Sequence, residues 1–297
     1  MVKHKMKIGN RDLSDILLMT VIYFFLLSFL LICIFPFLNV FAKSISGEAD
    51  VLAGAVTIIP KNIHFNAYKY VTNQRSFFAS LKNSLIVTVT GTILALFVAG
   101  MSGYALARKR FQEHRLIMML YIFSMIFSAG VIPGYLLVRS LGLYDTIWAL
   151  ILPAIINPYY LLILKSFFQA IPESLEEAAK MDGAGHFRIY FQIIMPIAKP
   201  ALASVCLFYA VDYWNDLFRP MVFITSQAKY TLQLYLRSIL INTNDVTNTL
   251  DPLVYGNVAA QSVQNATIIV SIIPILLLFP FLQKYFATGV SVGAVKE

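Results

Sequence analysis

The chain has 297 residues, of which 59% are hydrophobic and 13% charged, and its mean hydropathy is +0.73. Soluble domains carry about 25% charged residues, so this balance excludes a water-soluble globular protein and points to several bilayer crossings of about 20 residues each. The net charge of +8 does not mark a nucleic-acid surface, because Lys and Arg are dispersed at the ends of apolar runs.

In chain order, a basic tail (1–15) precedes a first apolar run, Ile16 to Phe41, which contains Pro36. The run is too long for the apolar region of a signal peptide, and no small-residue cleavage site follows, so it reads as a retained first crossing. An outer loop (42–84) leads to a core of five further crossings over 85–286. These are Leu85 to Leu106, Leu116 to Val138, Thr146 to Phe168 with Pro153 and Pro158, Ala201 to Phe223, and Thr267 to Phe286 with Pro274 and Pro280. Prolines there predict kinks whose freed carbonyls must be covered by protein or cavity. Cys33 and Cys206 both fall in apolar runs and are expected to be free thiols. Lys and Arg are more numerous on the N-terminal side of the bilayer, led by Lys3, Lys5, Lys7, Arg11 and the cluster Arg108-Lys109-Arg110. That bias predicts both termini and the polar segment 171–198 to be cytoplasmic, and an outer loop over 225–265. The tail, 287–297, is then cytoplasmic too. The fold class expected is an all-α, six-crossing membrane protein.

Segment 171–198 is too short and too polar to cross. Pro172 suits a first helical turn, and Glu173, Glu176 and Glu177 place negative charge at the positive end of the helix dipole. Lys180 follows Glu176 by four residues, a favourable pair. Gly183 supplies a left-handed C-cap, and a second short helix from about Gly185 is expected to stop before Pro196. Leu175, Ala178, Ala179 and Asp182 share one face of the first helix, made shallow by its alanines so that another surface can approach. The segment reads as helix, turn, helix.

Glu177-Ala178-Ala179, three residues, Gly183, nine residues, then Ile193-x-Met195-Pro196 resembles the EAA loop of ABC-importer permeases, with Met195 where the family has Leu. In that family the loop docks into a cytoplasmic ATPase, so the resemblance gives Glu177, Ala178, Ala179, Asp182, Gly183, Ile193, Met195 and Pro196 the role of a coupling element. Asn83-Ser84, Tyr104-Ala105-Leu106-Ala107-Arg108, Trp214-Asn215 and the tail from Gln283 to Lys296 resemble the smaller, six-span maltose-permease-like carbohydrate subunits. Pro280-Phe281-Leu282-Gln283-Lys284-Tyr285-Phe286 is similar to permeases for polysaccharide-derived and uronic oligosaccharides, alginate among them. The resemblance covers about Phe65 to Lys296. It implies a type I importer in a bacterial cytoplasmic membrane, with a second permease subunit, two ATPases and an extracytoplasmic solute-binding protein. It also implies that Gly289, Gly293 and Lys296 of the tail contact the ATPase, although Glu297 stands where relatives end in glycine. A type I permease for an amino acid, peptide, phosphate or compatible solute is the alternative.

No G-x-x-x-x-G-K-[ST] run occurs, so ATP and Mg belong to the partner ATPase, and this chain is expected to be a transport subunit without enzymatic activity, cofactor or metal. His4, His64, His114 and His186 are scattered and form no catalytic motif. The fifth run contains Asp212, Tyr213, Trp214, Asn215, Asp216 and Arg219, which an apolar crossing accepts only toward water or protein. An Asp216–Arg219 ion pair is expected. The cluster sits either at the outer membrane interface or along a sugar path, the latter assigned to Tyr213, Trp214, Asn215 and Asp216. The 225–265 loop is either solvated or, as the resemblance implies, a probe of the binding protein through Asn242, Asn244, Asn248, Gln261 and Gln264.

Overall fold

The computed structural model describes residues 13–108, 113–127, 129–241 and 259–294. Every regular element among them is helical. The predicted contacts Asn242, Asn244, Asn248 and Lys296 lie outside the described residues. The chain divides into two units, one formed by residues up to Val71 with 243–270, the other by 72–242 with the remainder.

In the first unit, α1 (Leu13–Ser44) is apolar around its whole circumference and buries none of its hydrophobic stretch within the chain. Such a helix is stable only where lipid or a partner replaces water. The stretch after it, expected to be a loop, is a small folded cap. Helices α2 (Glu48–Leu52) and α3 (Asn66–Asn73) follow, and Ala42, Val51 and Val56 form a common core. Backbone hydrogen bonds from Gly47 to Lys61 (3.0 Å) and from His64 to Ile45 (3.0 Å) close it. The Asn39 amide donates to the Thr57 carbonyl at 2.6 Å.

The second unit is organised around α4 (Arg75–Ala107), which extends the expected second crossing toward its N-terminus. Small residues let its neighbours come close. A Cβ on Gly91 would stand 2.8 Å from the Tyr213 ring, and one on Gly100 would stand 2.6 Å from the Tyr190 hydroxyl. Asn83 donates to the carbonyls of Ala228 (2.8 Å) and Tyr230 (3.1 Å), and Ser84 accepts from the Leu232 amide at 2.7 Å. These two polar residues therefore anchor the segment from Ala228 to Leu232 to α4.

The run expected as the third crossing is split into α5 (His114–Ile126) and α6 (Val131–Ser140), with Gly130 at φ +82 opening the second half. The fourth is α7 (Trp148–Ile151), a 3₁₀ turn Leu152–Ala154 and α8 (Pro158–Gln169), bent by 50°. Asn157 caps α8 by accepting from the Tyr159 amide at 2.9 Å. After segment 171–198, α12 (Lys199–Asn215) ends at Asp216, and α13 (Phe218–Phe223) follows. The fifth run is thus two helices broken at its polar cluster. Residues 225–265 are partly helical, with α14 over Leu232–Ile241 and α15 beginning at Ala260. Helix α15 continues to Ala294, so Gly289 and Gly293 of the expected tail are helical. Among the described residues, three helices are long and apolar enough to cross a membrane alone, and the total rises to six where each of three bent pairs counts as one span.

One tie fixes the turn between α6 and α7. Asp145, at φ +55, accepts from the Thr225 and Ser226 amides (both 3.0 Å), the Ser226 hydroxyl (2.6 Å) and the Lys229 ammonium (2.8 Å). The Lys229 ammonium, then the Ser226 hydroxyl and the two amides, hold this carboxyl far below the usual 3.8. Because the folded pKa is depressed, the stabilisation is complete above the ordinary carboxylate range and fades only as pH falls below 3.8. Limited proteolysis should find the 225–230 segment protected at pH 5. Asp145→Asn should expose it to cleavage at neutral pH, where the wild-type chain resists.

Candidate functional site

Segment 171–198 folds as α9 (Ser174–Met181), a turn, α10 (His186–Ile189), a π-turn over Tyr190–Ile194 and α11 (Met195–Ile197). The Gly183 amide bonds to the Lys180 carbonyl at 3.0 Å, and the Ala184 amide to the Ala179 carbonyl at 2.9 Å. With Gly183 at φ +77, this is a Schellman C-cap, the left-handed turn expected from the sequence. A Cβ on Gly183 would meet nothing within 4 Å, so backbone conformation alone favours glycine there. Pro196 does not end the second helix. It lies in the first turn of α11 directly after the π-turn, a wide turn that accommodates its missing N–H. The chain turns instead at Ala198, by 85° into α12.

The helix face is rotated relative to expectation. Leu175, Ala178 and Asp182 are exposed, but Ala179 is buried in the core. The exposed apolar surface of the elbow is extended by Met181 (88% exposed) and Phe187 (69%). Neither is marked by the E-A-A spacing. Their signal was a large apolar side chain on each side of a glycine turn in an otherwise polar segment.

What holds the elbow to the crossings is a buried ion pair. Arg108, at the C-terminal end of α4, pairs with Glu176, and their side chains are only 12% and 7% exposed. The same guanidinium donates to the Phe168 carbonyl at the end of α8 (3.1 Å) and lies 5.3 Å from the centre of the Tyr104 ring. Lys180 approaches the other Glu176 oxygen at 3.9 Å, the expected pair. Tyr104, Phe168 and Tyr190 pack edge to face or tilted within 6.4 Å of one another. Glu176 is therefore a structural anchor turned inward, whereas Glu177 is exposed. Ile194 is fully buried between the partly exposed Ile193 and Met195.

A second polar site lies where α7–α8 and α12–α13 are broken. A cavity of about 530 Å³ is lined by Asn157, Tyr209, Asp212, Tyr213, Asp216 and Arg219, with Met125, Ala154, Ile156 and two prolines. Asp216 pairs with the Arg219 Nε at 2.6 Å, as expected. The Arg219 Nη1 donates to the Leu150 carbonyl at 2.7 Å, and its guanidinium stacks 5.1 Å from the Tyr213 ring centre. Tyr160 donates to Asp212 at 2.8 Å. Of the residues assigned to a sugar path, Tyr213 and Asp216 face this cavity. Trp214 is buried and Asn215 exposed, and neither lines it. Asn157 and Tyr209 were missed because they are distant in sequence and only the breaks bring them together. Gln261 and Gln264 lie on the first turns of α15.

Comparison with known proteins identifies the architecture. Residues 91–292 match the family of binding-protein-dependent transport system inner membrane components. The chain belongs to this family. It is 41% identical over 276 residues to the polygalacturonan/rhamnogalacturonan transport system permease protein YtcP of Bacillus subtilis, covering 93% of this chain and 96% of that one. Protein LplC of Bacillus subtilis is 42% identical over 265 residues, 89% and 90% of the two chains. A bacterial ABC transporter involved in the import of the acidic polysaccharide alginate superposes with a TM-score of 0.85 at 32% identity, covering 94% of this chain and 99% of that chain. The protein is thus a multi-pass inner membrane component of a transport system, a permease subunit and not an enzyme.

In this permease, removing one member of the Arg108–Glu176 pair strands the other in an apolar site. Arg108→Ala or Glu176→Ala should lower unfolding stability in detergent by about 3 kcal/mol. Replacing both by leucine should recover much of that loss, measured by thermal unfolding.

Proposed function

We propose that this permease carries oligosaccharides released from acidic polysaccharides, uronic units included, into the cell by an ATP-driven type I mechanism. The observation that carries the reading is likeness along nearly the whole chain to a polygalacturonan/rhamnogalacturonan permease and to an alginate importer. The chain works beside a second permease subunit, two ATPases holding ATP and Mg, and a solute-binding protein. Both termini face the cytoplasm.

The elbow of α9, Gly183 and α10 is the mechanical joint. Leu175, Ala178, Met181 and Phe187 form its apolar tip, and Glu177 and Asp182 flank them. An exposed apolar tip on a rigid base suits insertion into a groove of the ATPase. Ile193, Met195 and Pro196 position the return to α12. The brace of Arg108, Glu176 and Phe168 transmits tilt of that tip to α4 and α8, biasing two packings of the crossings. Gly289, Gly293 and Lys296 add a C-terminal contact with the ATPase. Asn242, Asn244, Asn248, Gln261 and Gln264 meet the binding protein on the outer side, and the cavity beside Tyr213 and Asp216 lies on the sugar path.

Gly183→Val should introduce about 1–2 kcal/mol of left-handed strain and sever uptake from ATP hydrolysis, whereas Gly183→Asn should retain uptake, since Asn tolerates this conformation. The assay is uptake of labelled uronic oligosaccharide by the full complex in proteoliposomes, compared with labelled amino acid and phosphate. Uptake of the non-sugar solutes alone would overturn the oligosaccharide reading. A Gly183→Val complex with wild-type coupling would overturn the joint.

A further inference from the structure

The electrostatics of the cavity bear on which part of a sugar it can receive. This inference rests on the cavity lying on the path of an oligosaccharide. Its lining contains three charged side chains, Asp212, Asp216 and Arg219. The charge of Arg219 is matched by Asp216 at 2.6 Å, and its fork is turned toward Asp216 and the Leu150 carbonyl. Stacking on Tyr213 holds it in that orientation. Among the described residues Asp212 forms no ion pair, whereas Asp216 and Arg219 pair with each other. Its Oδ2 accepts one hydrogen bond, from Tyr160, leaving most of the carboxylate's acceptor sites open. Asp212 is exposed to the cavity.

The lining therefore carries one negative charge in excess, a strong acceptor with a single donor, the Tyr160 hydroxyl, already on it, and tyrosine side chains beside it. A carboxylate of a uronic unit placed here would face a like charge with no free guanidinium to bind it. A hydroxyl edge, by contrast, donates to Asp212 in a charge-assisted hydrogen bond. The Asn157 side-chain oxygen is occupied by the Tyr159 amide, which leaves its NH₂ to donate to a ring or hydroxyl oxygen. The volume, about 530 Å³, is within the range of small-molecule sites.

We infer that this cavity is a subsite for an uncharged, hydroxyl-bearing sugar unit or edge, and that Asp212 sets its preference against carboxylated units. Recognition of the carboxylates of an acidic oligosaccharide then falls to cations outside this cavity.

The test is competition between labelled neutral and labelled uronic oligosaccharides of equal length in the full complex reconstituted into proteoliposomes. The wild-type ratio of neutral to uronic uptake is compared with that of Asp212→Asn, which keeps the shape and removes the charge. The ratio should fall by roughly tenfold, the size of one lost hydrogen bond to a charged group. Asp212→Ser carries the same expectation should Asp212→Asn fail to assemble. An unchanged ratio, or one that moves toward neutral sugar, overturns the subsite while leaving the importer reading in place. A wild-type complex that takes up neither saccharide removes the importer reading, and the subsite with it.

Discussion

The pairing of Arg108 with Glu176 is the interaction on which the architecture of the elbow turns. A guanidinium and a carboxylate, both almost fully withdrawn from water, are costly to desolvate and therefore hold their geometry only when every neighbour contributes. Here the Phe168 carbonyl takes a second N–H of Arg108, the Tyr104 ring lies beside it, and Lys180 approaches Glu176. Three helix ends, those of α4, α8 and α9, meet at one charge. A short amphipathic helix in water has little stability of its own, and this contact is what makes α9 a rigid extension of the crossings.

A related logic governs the broken helices. Helix α8 begins anew at Asn157 and Pro158, and α12 stops at Asp216. Breaking a helix inside a bilayer frees backbone groups that must find partners. The Leu150 carbonyl finds Arg219, the Ile151 carbonyl finds the Tyr213 hydroxyl at 3.1 Å, and the Asn157 amide finds the Tyr209 hydroxyl at 3.0 Å. The side chains that repair the breaks are the ones that line the cavity. Polarity at these breaks therefore has two consequences at once, satisfying the freed backbone groups and lining a cavity with hydrogen-bonding side chains.

Close approach of the helices completes the picture. Gly91 and Gly100 on α4 give the rings of Tyr213 and Tyr190 their seats. Tyr213 stacks under Arg219 at the cavity, and Tyr190 packs on Tyr104 beside the brace. Helix α4 thus touches both the polar cavity and the elbow, a continuous packed route between the two sites.

Much of this was legible in the residues themselves. Apolar runs of bilayer length, the glycine after an acidic helix start, and the i,i+3 spacing of Asp216 and Arg219 depend on local chemistry, and each has its counterpart in the fold. The membership of the family was carried by resemblance, through the E-A-A, glycine and Ile-x-Met-Pro spacing. Tertiary structure alone decided that Glu176 and Ala179 turn inward while Met181 and Phe187 point out, because the rotation of a short helix is set by what it packs against. It likewise decided that Trp214 is buried while Asn157 and Asp212 share a wall. Which residues meet across a helix break depends on the angle between its halves, and that angle is fixed by contacts among residues far apart in the chain.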